Sequence, residues 1–192
     1  MRYGTKAGLI GSLWLAGATS ANATDASEKL TACLACHGPN GQSEIEDVPS
    51  IAAQVPAYSL IQLVMFRDKL RVSDTMNDAA KDLSDSDIQS LADELAALPP
   101  PKPLPDPVDQ ARFVRAQALA QQSHCDVCHR PDFSGQQTVP RLADQREDYL
   151  LKTLHDYKSG ARRAYEPIML EQVQPLDDTQ LIELSYYSAH IH

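Results

Sequence analysis

The chain has 192 residues, 43% of them apolar and 22% charged, an ordinary balance for one globular domain or two small ones. A formal net charge of −9 argues against nucleic acid as a partner, because phosphate recognition needs basic patches. There are four cysteines, and all four fall in two short repeated motifs, so no disulfide framework is left to staple small domains.

At the N-terminus, Arg2 and Lys6 precede an apolar run from Ala7 to Ala18. Ser20-Ala21-Asn22-Ala23 then has the small-x-small form that a signal peptidase cuts. Residues 1–23 are expected to be a signal peptide removed after Ala23, since a membrane-spanning helix needs about 20 apolar residues and this run is shorter. The rest of the chain is expected to be exported to an oxidising compartment.

Next comes Cys33-Leu34-Ala35-Cys36-His37, which recurs as Cys125-Asp126-Val127-Cys128-His129. Two thiols three positions apart suit addition to the two vinyl groups of one porphyrin, and the following histidine then lies under the iron. A four-thiolate zinc site or two redox disulfides would use the same cysteines. Either would leave the histidine after both pairs to chance, about one in a thousand for 6 histidines in 192 residues. Two covalently bound haem c groups are therefore expected, supplying core that such small domains could not otherwise build.

The two halves repeat one pattern. At an offset of 92, Pro39 meets Pro131; at 91, Val48-Pro49-Ser50-Ile51-Ala52-Ala53-Gln54 meets Val139-Pro140-Arg141-Leu142-Ala143-Asp144-Gln145. Tyr58, Leu60, Leu63, Phe66 and Arg71 then meet Tyr149, Leu151, Leu154, Tyr157 and Arg162; at 93, Met76, Leu83, Ile88 and Leu91 meet Met169, Leu176, Leu181 and Leu184. One fold used twice is expected, as domains 24–98 and 109–192. Between them, residues 99–108 are dominated by proline and read as a stiff polyproline spacer.

Each copy reads as helical. Helices are expected leading into each motif (Asp109 to Gln122 in the second copy), over Tyr58–Lys69 and Tyr149–Lys158 with Gly160 as a stop, and at the end of each copy. The last pair begins at capping boxes, Ser84-x-x-Asp87 and Asp177-x-x-Gln180. Nothing resembles a run of alternating strands, so the fold class is all-α.

The sixth iron ligand decides function. Met76 and Met169 occupy matching columns, 39 and 40 residues beyond their histidines, and are expected in non-helical loops opposite each haem motif. Met65 matches Asp156 on a helical stripe and reads as core packing. His155 is the rival ligand in the second copy, but its counterpart is Val64; His124, His190 and His192 also lack counterparts and read as solvated. The expected iron ligands are thus His37 and Met76, and His129 and Met169. A thioether favours ferrous iron and raises the reduction potential.

This order of elements, twice over behind a signal peptide, resembles the dihaem cytochrome c4 family across residues 25 to 190. The resemblance implies two tandem class I cytochrome c domains related by pseudo-twofold symmetry, with haems close enough to exchange electrons. It implies a periplasmic shuttle from a quinol-oxidising cytochrome complex to a haem-copper terminal oxidase, with possible loose membrane association. By position, it implies that the Pro49 and Pro140 carbonyls orient His37 and His129, that Ile51 and Leu142 pack on haem faces, that Arg71 and Arg162 sit near propionates, and that Tyr58 and Tyr149 hydrogen-bond at the haem edge. The family's glycine after the motif histidine is kept as Gly38 but replaced by Arg130, and its glycine before the glutamine is Ala53 and Asp144 here. These replacements are expected to alter local loop shape, and Arg130 to shift its haem's potential.

An iron with both axial positions filled implies outer-sphere one-electron transfer with no catalytic residues. An electron-accepting subunit of a dehydrogenase, flavocytochrome-like, uses the same haem domains. A dihaem peroxidase would instead need an iron able to become five-coordinate.

Overall fold

The computed structural model describes Met1 and residues 21–162 and 167–192. The apolar run Ala7–Ala18 lies outside them. The described residues form nine α-helices and no strand. The first copy comprises α1 (Ala21–His37), α2 (Pro56–Arg67), α3 (Asp74–Ala80) and α4 (Asp85–Ala97). The second comprises α5 (Gln110–Gln122), α6 (Cys125–His129), α7 (Glu147–Ser159), α8 (Ile168–Val173) and α9 (Asp178–His190).

The helix boundaries follow local chemistry. Ser84 Oγ accepts the Asp87 amide while the Asp87 carboxylate accepts the Ser84 amide, at 3.2 and 2.9 Å. Asp177 and Gln180 make the same reciprocal pair at 2.8 and 2.9 Å. Each box satisfies two amide groups that a helix start would otherwise leave without partners. Helix α5 starts at Asp109, whose side chain accepts from the Arg112 amide, and α7 stops at Gly160, whose φ of 76° is the left-handed turn glycine takes freely.

Packing repeats with the sequence. α1 lies on α4 as α5 lies on α9; α2 lies on α4 as α7 lies on α9; α2 meets α3 as α7 meets α8. In the second copy, Ala116 and Ala120, one turn apart and fully buried, bring α5 close to Leu181, Leu184 and Tyr187 of α9. In the first, Ile88, Leu91, Ala92 and Leu95 of α4 are buried, as are Met65 and Phe66 of α2.

Met76 and Met169 are not in loops: Met76 is the third residue of α3 and Met169 the second of α8. The Ser73 amide is taken by the Asn77 side chain while the Asn77 amide goes back to the Ser73 carbonyl, which closes a helical turn around Met76. Pro167, at φ −67°, presets the same geometry before Met169. His190 is buried rather than solvated, its ring against Tyr186 and its Nδ1 bonded to the Tyr186 carbonyl at 2.8 Å, one turn back on α9. His124 and His192 are exposed, and His155 is on the surface near Asp178.

The haem motif sits on an unbroken α1 in the first copy, whereas the second copy breaks at His124, which has a φ of 55°. The matching position is Ala32, the better helix former. The proline-rich segment is not a free spacer. The side-chain amide of Gln42 donates to the Lys102 carbonyl at 3.2 Å and accepts from its amide at 3.1 Å, laying the segment along the first copy.

Candidate haem sites and the interface between them

Each Cys-x-x-Cys pair is carried on a helix, where positions i and i+3 stand side by side. No disulfide joins the four cysteines; Cys33 and Cys125 are half-buried, Cys36 and Cys128 exposed. Burial pushes the Cys33 thiol up, and burial with the Asp126 charge pushes Cys125 to about 11, so neither is a resting thiolate. Among the described residues no three His, Cys, Asp or Glu side chains converge on a metal position, so the two pairs do not assemble one zinc site.

His37 and His129 are both buried. The His37 Nδ1 donates to the Pro49 carbonyl at 2.8 Å and the His129 Nδ1 to the Pro140 carbonyl at 2.9 Å. A carbonyl can only accept, so Nδ1 carries the proton and Nε2 keeps its lone pair for a metal. Burial holds both rings below the ordinary histidine pKa, against the smaller opposing effect of the carbonyl bond. Both are therefore neutral at pH 7, the form that ligates iron.

The loop after each histidine keeps its backbone despite the lost glycines. Gly38 has φ 83° and ψ 160°, and Arg130 has φ 72° and ψ 159°. Ala53 and Asp144 likewise share left-handed values, 49° and 57°. Loop shape is thus retained, and the side-chain-bearing residues carry a strain of about 1–3 kcal/mol each instead.

Phe133 was not marked by sequence reasoning. It is almost fully buried, edge-on to Tyr187 at 5.1 Å between ring centres and 6.1 Å from the ring of His129. The signal for it was one apolar residue in Pro131-Asp132-Phe133-Ser134-Gly135, an otherwise polar turn.

Met76 lies on α3 against α2, and Met169 on α8 against α7; both are half-buried. Met65 is buried, and its sulfur accepts from the Gln62 side chain at 3.9 Å.

Arg71 and Arg162 meet between the copies. Arg71 donates to Gln62 Oε1 at 2.6 Å and to the Tyr149 hydroxyl at 3.2 Å. Arg162, only 6% exposed, donates to the Tyr58 hydroxyl at 3.0 Å, to Thr153 at 3.3 Å, and at longer range to Gln62 and Tyr149. Burial alone would raise the Tyr149 pKa; the two guanidinium charges outweigh it and draw it down to about 7. Among the described residues no carboxylate pairs with either arginine. Two clustered guanidiniums, one of them buried and neither facing a carboxylate among the described residues, suit an anionic ligand, as haem propionates are. Paired thiols outside any disulfide, neutral histidines with Nε2 available, and these arginines together make a donor set that fits two haem c groups.

The copies also exchange glutamines. Gln145 accepts from the Ser50 amide at 2.7 Å and donates to the Ser50 carbonyl at 2.8 Å. Gln54 accepts from the Arg141 amide at 2.7 Å and donates to the Arg141 carbonyl at 3.1 Å. Gln54 corresponds to Gln145 and Ser50 to Arg141, so each copy does to the other what is done to it, as a twofold axis requires.

The Cytochrome c family profile matches residues 113–187. The chain is 31% identical over 167 residues to cytochrome c4 of Thiocapsa roseopersicina, covering 81% of this chain and 84% of that one. This chain belongs to the cytochrome c4 family. The structure of reduced recombinant cytochrome c4 from Pseudomonas stutzeri superposes with a TM-score of 0.79 at 24% identity, over 88% of this chain and 98% of that one. A thiosulfate dehydrogenase electron acceptor from Thiomonas intermedia is 29% identical over 144 residues, 70% of this chain and 66% of that one. The chain is thus two class I cytochrome c domains that bind two covalent haem c groups, with which the cysteine pairs 33/36 and 125/128 are consistent. The chain is an electron-transfer protein rather than an enzyme.

Proposed function

We propose that this cytochrome c4 is exported to the periplasm after cleavage at Ala23, where it takes single electrons from a quinol-oxidising cytochrome complex and delivers them to a haem-copper terminal oxidase. Its domains are residues 24–98 and 109–192. When bound, each haem supplies a one-electron iron couple. Cys33 and Cys36 would hold one and Cys125 and Cys128 the other. His37 and His129 would supply Nε2, and Met76 and Met169 the sulfur that closes the sixth position. Pro49 and Pro140 orient the histidine rings. Arg71 and Arg162 would receive propionates.

The observation that carries this reading is the arginine pair, with Arg162 buried and Arg71 half-buried: the junction of the copies is built around groups that need an acid, and haem propionates would supply it. Charge adds a docking preference. Residues 24–98 hold 5 basic and 13 acidic side chains, against 9 and 12 in residues 109–192. The first domain therefore favours a basic partner surface. No described helix is long and apolar enough to cross a membrane.

The test is protein exported by a haem-attaching host. Two haems per chain by pyridine haemochrome, and oxidation of the reduced protein by the terminal oxidase, are expected; one haem, or none, would overturn the reading. The likeness to a thiosulfate dehydrogenase electron acceptor supports a second reading, a subunit serving a dehydrogenase. It predicts co-purification with that enzyme. Peroxide turnover, or carbon monoxide binding to the folded ferrous protein, would point to a peroxidase.

A further inference from the structure

The glutamine exchange and the histidine hydrogen bonds meet on the same two peptide groups. The carbonyl of the Pro49–Ser50 peptide accepts from His37 Nδ1 at 2.8 Å, and the N–H of that peptide donates to Gln145 Oε1 at 2.7 Å. The carbonyl of the Pro140–Arg141 peptide accepts from His129 Nδ1 at 2.9 Å, and its N–H donates to Gln54 Oε1 at 2.7 Å. Ser50, Gln54 and Gln145 are each less than a tenth exposed. Water therefore does not replace these bonds.

A peptide is a conjugated unit. An acceptor on its N–H shifts electron density to its oxygen, and hydrogen bonds in such a chain reinforce one another by roughly 10–30% each. A more negative Pro49 oxygen draws harder on the Nδ1 proton, giving the His37 ring more imidazolate character and making Nε2 a stronger donor.

We infer that Gln145 and Gln54 are cross-domain positioning residues: Gln145 of the second domain strengthens His37 in the first, and Gln54 of the first strengthens His129 in the second. The inference rests on the proposed ligation by His37 and His129. Its consequence is a reciprocal link between domain docking and ligand strength. With the copies docked, both histidines donate more and both ferric forms are favoured; parting the copies weakens both.

The test uses the haem-loaded full chain. In Gln145→Leu, the haem held by His37 shifts toward the ferrous form by about fivefold in equilibrium constant, roughly 40 mV at 59 mV per tenfold. The His37 Nδ1 proton moves upfield in the ferrous NMR spectrum, and the His129 proton stays put. Gln54→Leu gives the mirror result. Should Gln145→Leu part the domains, as small-angle scattering would show, Gln145→Glu decides. Above the pH at which this buried carboxyl ionises, it is a stronger acceptor for the Ser50 amide, and the His37 proton must move downfield. A His37 proton that does not move in a docked variant, or a change confined to the mutated domain's own haem, overturns the inference. Failure of the underlying ligation is distinct: the His37 ring carbons' protons would then lack the large ring-current shift that a haem ligand shows.

Discussion

Phe133 holds in the second copy the backbone position that Gly41 holds in the first. Both are left-handed, at φ 52° and 74°. Both accept two successive amides on one carbonyl: Leu142 and Ala143 on Phe133, Ile51 and Ala52 on Gly41. A phenyl ring has been placed on a glycine turn, and its burial offsets the strain. Truncating a buried phenylalanine costs about 3–5 kcal/mol, whereas left-handed strain is worth about 1–2 kcal/mol, so burial wins. Both Phe133→Ala and Phe133→Gly should destabilise, with the glycine variant less damaged by about 1 kcal/mol. Chemical denaturation followed at the second haem checks the order; an alanine variant as stable as the glycine one would contradict it.

Met76→Ala and Met169→Ala should each remove half of the weak long-wavelength absorption that marks sulfur on ferric iron, with haem content unchanged. The double variant should lack it entirely. Met65→Leu, a swap that conserves volume in the core, should leave the band intact and cost under about 1.5 kcal/mol. An unaltered band in both single alanine variants would reject the ligand assignment.

Arg162→Gln removes a buried positive charge beside the proposed propionates. Ferric haem is the more positive form, so losing that charge stabilises it and lowers the reduction potential, by on the order of 50 mV. Arg162→Lys should recover part of the shift because it keeps the charge without the fork of donors. Spectroelectrochemical titration measures both.

Lys29, together with Ser84, holds the Asp87 carboxyl down at about 2, against an ordinary 3.8. A depressed carboxyl adds stability above its unfolded pKa and loses it as pH falls through the folded one. Asp87→Asn should therefore lower the thermal midpoint modestly at pH 6 and converge on the parent chain as the pH falls below about 2. A gap that persists in acid would place the effect elsewhere.

Association with a basic redox partner should slow severalfold between low and physiological ionic strength, where the screening length falls to about 8 Å. Stopped-flow electron transfer across a salt series measures this slope. Charge-neutralising changes in residues 24–98 should flatten it more than equal changes in residues 109–192.

Much of this molecule was legible as sequence because its signals are local. Cys-x-x-Cys-His, the two capping boxes and the Gly160 stop each depend on residues within a few positions, and the structure keeps all of them. Duplication extended that reach, since a column filled twice, such as Pro49 and Pro140, marks a shared role. Two kinds of feature escaped. Met76 and Met169 were expected in loops because short helices of seven and six residues leave almost no periodic pattern. Long-range partners escaped too: the glutamine of each Val-Pro-x-(Leu/Ile)-Ala-x-Gln run was visible, but not that it reaches the other copy's backbone. Arg130 shows the opposite error, for a lost glycine changed the strain and not the shape.

Gln42 fastens Lys102 by both edges of its amide. The tether between the halves thus has little slack, and the second half is kept at high local concentration beside the first. Covalent continuity matters correspondingly less once the halves have closed. A chain nicked by a protease within residues 103–108 should run as one particle in native gel filtration and as two bands after denaturation.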